Sequence, residues 1–400
     1  MSGPRVLYVV YWGAAEPLGQ SLVVPAVRRL ARLGVRLTLA SFEKPEDLED
    51  RARIAALRES LEAEGIRWLP LRYHKGFAPT SWDVLQGWAR TLAAGMAAGV
   101  DIVHARTFVG GMIGRLVAAT LRAKLVYHNE GFYPDEQADG GFWPAGSALH
   151  RITRRIESGL YAGADGLIVL SHRAKAVLEG LPAQARRPKP VIVVPSCVDL
   201  DRFRANLGRR GNGDGVNFVY AGAVGGRYRL DDAGRFVTAV AAERSRVRLR
   251  VLTRAAPELV AELLARGGLA REHWSLENLP HAAMPAELAR HDAGLLFMTR
   301  GLSEYGCSPT KVGEYWASGL PVVTTPNVSD TDAIVRRERV GVVVDGSSPE
   351  SLAAAGHELR ELLADPELPG RCRRAAEQHY DLASGCERQL ALYRDLAGCP

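Results

Sequence analysis

The chain has 400 residues, 47% hydrophobic and 24% charged, a length for two or three domains and a composition that excludes a disordered or fibrous polymer. The 51 Lys and Arg against 45 Asp and Glu leave +6, which favours phosphate or an anionic membrane face. No Lys/Arg block interleaved with aromatics points to nucleic acid, and no apolar run reaches the roughly 18 residues of a membrane-spanning helix. Five scattered cysteines (Cys197, Cys307, Cys372, Cys386, Cys399) show no C-x-x-C spacing, which argues against a disulfide framework or a zinc site. The N-terminal residues lack a signal-peptide layout, so the expected location is cytoplasmic, with peripheral contact to an inner membrane face left open.

Short apolar runs predict strands at 6–11, 36–41, 66–71, 101–105, 125–128, 166–170 and 191–194. Apolar residues at helical spacing predict helices over 18–33, 46–64, 82–98 and 147–161. That alternation is the pattern of a parallel sheet covered by helices on both faces. The segment 206–215 (NLGRRGNGDG) has no apolar face and reads as a linker. The alternation then restarts with strands at 217–221, 248–252, 293–298, 321–324 and 341–344. Helical segments run from about 349 to 397, broken near 366–370. The class is α/β: two doubly wound domains, 1–205 and 216–384, facing each other across a cleft. Ligands of such sheets sit beyond the carboxyl ends of the strands.

The segment SPTKVGE (308–314) concentrates residues suited to binding an anion. Ser308 and Thr310 suit a helix cap, Pro309 its first turn, and Lys311 lies where a cation opposes the helix dipole. An anion at that helix start makes the placement favourable, because free N–H groups and Lys311 converge on it. Glu314, one turn on, can accept hydrogen bonds from a ribose diol. An ordinary capped helix with a surface Lys–Glu pair fits these residues equally well. In GAVGGRYR (222–229), Gly222, Gly225 and Gly226 let backbone approach a phosphate, with Arg227 or Arg229 adding charge; a tight strand-to-helix turn is the plain alternative. The loop WGAAEPLGQS (12–21) lacks G-x-G-x-x-G, which excludes a dinucleotide fingerprint.

His104, Arg106, His128, Asn129 and Glu130 fall at predicted strand ends, where polar side chains meet substrate. A structural histidine bonded to a neighbouring carbonyl is the plain alternative, but the polar groups concentrated from His128 onward favour substrate contacts there, with His128 ahead of Glu130 and His104 and Arg106 ranked lower. Asp135 and Glu136 read as a solvated pair. The aromatic and glycine-rich stretch 131–144 reads as a mobile loop, suited to a substrate pocket, a membrane interface or local packing. No His/Asp metal-ligand spacing is read from the sequence, so neither metal nor cofactor is expected. Phosphate charge is then met by a helix dipole, Lys311 and arginines.

The run EYWASGLPVV (314–323) resembles the donor-binding segment of glycosyltransferase family 4, the retaining GT-B enzymes that use nucleotide-sugars. With 308–315 it is similar to a subset written S-P-x-K-x-x-E-Y. VPSCVDLDRF (194–203) is similar to the family's V-P-N-G-V-D-x-x-x-F, and Ile156-Glu157 with ADGLIVLS (164–171) to the unit preceding it. FVYAG (218–222) opens the second domain as the family's does. The resemblance implies GT-B architecture: two Rossmann-like domains, acceptor side first, nucleotide-sugar side second, and a C-terminal helix at 385–400 crossing back to the first.

It also implies transfer of a sugar from a nucleoside diphosphate to a hydroxyl of a small molecule, glycan or lipid-linked acceptor, as in glycoconjugate or natural-product biosynthesis. Retention follows from a same-face displacement in which the leaving diphosphate helps deprotonate the acceptor. Gly19 and Gln20 would approach the donor phosphates and the acceptor, a simple loop with Gly19 as a turn residue fitting equally well; Ser308 to Lys311 would meet the diphosphate, and Glu314 the ribose. The family's first glutamate falls at Gly306; this chain has Glu304 two residues earlier, as its stand-in toward the sugar. Two rivals remain: a GT-B nucleotide-sugar epimerase, which needs no acceptor, and a non-catalytic two-domain sugar-binding protein.

Overall fold

The computed structural model describes residues 3–203, 215–244 and 246–398. Seven strands form the first sheet: β1 (Arg5–Val10), β2 (Arg36–Glu43), β3 (Arg67–Arg72), β4 (Ile102–Arg106), β5 (Lys124–His128), β6 (Gly166–Val169) and β7 (Val191–Val193). Six form the second: β8 (Gly215–Ala221), β9 (Arg246–Leu252), β10 (Trp274–Glu277), β11 (Ala293–Leu296), β12 (Val322–Thr324) and β13 (Gly341–Val343). The orders are β3-β2-β1-β4-β5-β6-β7 and β10-β9-β8-β11-β12-β13, and every recorded pairing is parallel. In both sheets the order reverses at the first strand, which is the doubly wound, Rossmann-like arrangement. Helices cover central strands on both sides, so β1 is buried without a break from Val6 to Val10.

The chain divides into two compact units, neither contiguous in sequence. The first comprises Met1–Pro134, Gly146–Pro195 and Leu382–Pro400; the second comprises Asp135–Ala145 and Ser196–Asp381. These limits differ from division at residues 205 and 384. The linker 206–215 lies outside the described residues except Gly215, which opens β8. Strand β10 was not expected: it is four residues long, half-buried at the sheet edge, and carries no extended apolar run. Part of the stretch 131–144 is not a loop either. Tyr133–Asp139 is helical, with Pro134 near its start and Asp135 and Glu136 in its first turn, residues that favour helix initiation.

Two packing features set the sites. Gly294 in β11 has no side chain because a Cβ there would lie 2.2 Å from the Tyr315 ring. The helix Thr310–Ala317 therefore presses onto the sheet, and the Tyr315 hydroxyl accepts the Ala221 N–H at 2.9 Å at the end of β8. In the first unit the last helix, Leu382–Ala397, packs on the helix Val24–Arg32 and on β4, with Leu392 and Leu396 against Gly166 of β6.

Candidate functional site

In the second unit the helix Thr310–Ala317 starts after Pro309, whose backbone is extended, and no side chain caps it. Ser308 and Thr310 are thus not the caps their residue types favour. The Ser308 hydroxyl instead accepts the Ser196 N–H at 3.1 Å. Lys311 is 5% exposed, which removes the surface Lys–Glu pair as a reading. Its Nζ lies 4.5 Å from the ring centroids of both Tyr220 and Tyr228 and has no hydrogen-bond partner. Burial drives its pKa down to about 7, against a smaller opposing pull from Glu314. Gly222 (φ +113°) makes room, since a Cβ there would sit 3.2 Å from Nζ. A buried ammonium held only by ring faces is costly, and an anion at the helix start is the chemistry that relieves the cost.

Glu314 is buried, with Oε1 3.1 Å from His281 Nε2. The other nitrogen of that ring faces the Arg202 guanidinium at 3.4 Å. His281 therefore fixes the carboxylate's orientation, leaving Oε2 the less committed oxygen.

The glycine-rich turn is tied to β11 and the residues after it: the Arg229 N–H donates to the Phe297 carbonyl at 2.9 Å, and Thr299 to the Arg227 carbonyl at 2.8 Å. Gly225 (φ +80°) and Gly226 (φ +59°) occupy the left-handed region with open space where a Cβ would stand. The two arginines diverge. Arg227 pairs with Glu136 at 3.1 Å and lies 4.0 Å from Glu304. Burial opposes its charge, but these carboxylates outweigh burial and hold it protonated. Arg229 is turned away into a fork on Asp231, at 3.1 and 2.9 Å.

Glu136 is consequently an ion-pair partner rather than half of a solvated pair. Nearby, Asp139 accepts the Ser303 hydroxyl at 2.6 Å. Glu304 is fully buried and accepts the Thr299 hydroxyl at 2.9 Å; burial raises its pKa, partly offset by Arg227.

In the first unit the loop after β1 is organised by a carboxylate the sequence did not single out. Glu43, buried at the end of β2, accepts the N–H groups of Ala14 (2.8 Å) and Ala15 (3.0 Å). The Gln20 amide donates to the Ala14 carbonyl at 2.7 Å, and a Cβ on Gly19 would stand 2.0 Å from the Gly13 carbonyl oxygen. Gly19 and Gln20 therefore shape this loop from within. Gly19→Ala meets backbone that cannot rotate away, and should lower the denaturant midpoint, costing about 1–3 kcal/mol, with the m-value unchanged.

The strand-end residues form one buried cluster. Pairing of β1 with β4 sets Tyr8 beside His104, and pairing of β4 with β5 sets Arg106 beside His128. The Tyr8 and His104 rings stack at 4.1 Å. His104 Nε2 is 3.1 Å from His128 Nδ1, and His104 Nδ1 meets the Tyr393 hydroxyl of the last helix. Arg106 ion-pairs with Glu130 and reaches the Tyr8 hydroxyl at 3.3 Å. Asn129 accepts the Gly131 N–H through Oδ1, while its buried Nδ2 has no partner. Burial, then the Arg106 charge, hold both imidazoles well below their usual pKa, so both are neutral at pH 7.

The structure thus brings Gly222, Lys311 and Glu314 together in one unit, and His104, Arg106, His128 and Glu130 in the other. Sequence reasoning missed Tyr220, Tyr228, His281, Tyr8 and Tyr393. Aromatic residues beside a glycine turn were the signal available for the first two. Among the described residues no group of three metal-ligating side chains occurs, and no helix is long and apolar enough to cross a membrane.

The profile of Glycosyltransferase Family 4 matches residues 21–202, and that of Glycosyl transferases group 1 matches 216–364. No curated protein sequence matches. Similar solved structures include sucrose-phosphate synthase from Thermosynechococcus elongatus, with TM-score 0.70, 15% identity and 99% of each chain covered. A glycosyltransferase from Rickettsia africae gives 0.69 at 13% identity, again over 99% of both chains. Anabaena HepE in complex with UDP and glucose gives 0.67 at 13% identity over 96% of this chain and 98% of that one. With one glycosyltransferase profile on each half and a pair of Rossmann-like sheets to match, the chain belongs to the GT-B glycosyltransferases.

Proposed function

We propose that the protein transfers a hexosyl group from a nucleoside-diphosphate sugar to an acceptor hydroxyl, with retention and without a metal ion. The observation that carries this reading is the partnerless ammonium of Lys311 at a helix start. Lys311 and the free N–H groups of that helix receive the diphosphate, and Glu314, oriented by His281, receives the ribose diol. Neutralising the departing diphosphate is the main catalytic contribution, and the diphosphate oxygen takes the acceptor proton on the same face of the sugar. The first unit supplies the acceptor contacts through His128, Asn129, Arg106 and Glu130. Glu304 and Arg227 hold one another beside the glycine turn, with Glu304 assigned toward the sugar. UDP bound to Anabaena HepE favours a uridine nucleotide as the first donor to try. Location at the cytoplasmic side, with peripheral membrane contact, accords with the mild positive charge.

Lys311 also gives the donor site a pH signature. A fully ionised nucleotide-sugar favours the protonated amine, so the bound pKa rises above about 7. Affinity is then nearly constant below pH 7 and falls above it, weakening about tenfold between pH 6 and pH 8. Calorimetric titration across that range checks this, together with Lys311→Ala, which should weaken the diphosphate and spare the free nucleoside. Equal losses for both ligands would remove the phosphate assignment. Glu314→Gln should cost about 1–3 kcal/mol of donor affinity, an effect absent with a 2′,3′-dideoxy nucleotide. Conversion of the nucleotide-sugar with no acceptor present would favour the epimerase, and loss of transfer in a chelator would refute metal independence.

A further inference from the structure

The buried hydrogen-bond chain in the first unit has a direction, and the direction determines what His128 offers. It runs from the Tyr393 hydroxyl to His104 Nδ1, and from His104 Nε2 to His128 Nδ1 at 3.1 Å. All three side chains are at most 2% exposed, so water does not reset their protons. Each neutral imidazole carries one proton, and only two arrangements keep both links.

In the first, Tyr393 donates to His104 Nδ1, His104 Nε2–H donates to His128 Nδ1, and His128 bears its proton on Nε2. In the second, every link reverses, and His128 carries a lone pair on Nε2. The reversed chain has two faults. It turns that lone pair toward Glu130 Oε1, 3.5 Å away, a carboxylate already engaged by Arg106. It also strands the Tyr393 proton, because among the described residues His104 is the polar partner recorded for that hydroxyl. A buried donor without an acceptor is costly. The forward chain gives the Tyr393 proton an acceptor and replaces the lone-pair repulsion with attraction: its terminal N–H, buried and itself without a full hydrogen bond, faces the Glu130 carboxylate at 3.5 Å.

We infer that Tyr393, on the last helix, is a positioning residue that locks His128 as the Nε2–H tautomer, so that His128 serves as a hydrogen-bond donor to a substrate oxygen and not as a proton acceptor. The inference about substrate rests on the glycosyl-transfer reading; the tautomer does not. His128 is then suited to a sugar or acceptor oxygen that gains electron density, and unsuited to removing the acceptor proton.

The test uses the full chain labelled with ¹⁵N-histidine, the His104 and His128 signals being assigned from His104→Gln and His128→Gln. In the wild type, long-range ¹H–¹⁵N correlation should show His128 with a protonated, pyrrole-type Nε2 and a pyridine-type Nδ1. His104 should show the same pattern. Tyr393→Phe preserves the packing and removes the donor, so both histidines should move to averaged nitrogen shifts. A wild-type His128 protonated on Nδ1 overturns the inference, as does a Tyr393→Phe spectrum identical to wild type.

In transfer assays Tyr393→Phe should lower kcat about tenfold with KM for the donor unchanged, the worth of one hydrogen bond. His128→Gln, which keeps an N–H near the Nε2 position, should retain at least tenfold more activity than His128→Ala. Equal activity of the two variants overturns the donor role. If no nucleotide-sugar is a substrate, the functional proposal fails while the nitrogen shifts still decide the tautomer.

Discussion

Lys311→Met should make the protein more stable at pH 6 and abolish useful donor binding in the same stroke. The folded pKa of about 7 lies below the 10.5 of an exposed lysine. Between those values the unfolded chain binds the extra proton, so wild-type stability rises with pH across that window. The burial penalty is full below pH 7 and gone near 10.5. Methionine fills the slot between Tyr220 and Tyr228 without it. The variant should therefore gain on the order of 3–5 kcal/mol at pH 6, with the gain shrinking toward zero by pH 10. Denaturant melts of both proteins at four pH values measure this. Equal stability at pH 6 would mean that Lys311 reaches solvent and is not a strained cation. A residue kept at such cost is one whose charge is used, which is the stability–function trade expected of a binding site.

His128→Ala should lower sugar transfer about a hundredfold while changing affinity for the nucleoside diphosphate less than about twofold. The separation follows from placement: His128 belongs to the first unit, whereas Lys311 and Glu314 belong to the second. The two readouts need only one sample each, titrated with nucleotide and assayed with the true acceptor. Wild-type transfer rates would reduce His128 to a core histidine that satisfies His104. A parallel loss of nucleotide affinity would instead mean that the donor site depends on the first unit's cluster.

The strands were legible wherever a central position demands a run of apolar residues, as in β1, β4 and β8. They were not legible at the sheet edge, where β10 is short and half-wet. The Lys311 site was legible in part, because a cation at a helix start is locally unfavourable and so calls for a partner. Its surroundings were not, since Tyr220 and Tyr228 come from another strand and its following turn, and His281 from another loop. At the loop 12–21 only the resemblance pointed to phosphate, through Gly19 and Gln20, and no sequence signal marked Glu43 of the neighbouring strand, which takes two of the loop's amides. Arg229 looked as free as Arg227 until Asp231, two residues on, claimed it. The histidines were found by strand-end position, and their coupling to Tyr393 was hidden by sequence distance.

The interleaving of the two compact units has a consequence for synthesis. Domains of a growing chain ordinarily fold in the order they emerge. Here every segment of the second unit has been made once Asp381 is in place, yet the first unit still lacks the helix Leu382–Ala397. Until then β4 and β6 lack that helix's cover, and His104 lacks Tyr393. The segment Asp135–Ala145, made early, waits for Arg227 and Ser303 before the ion pair of Glu136 and the hydrogen bond of Asp139 with them can form. The unit begun first is the one completed last.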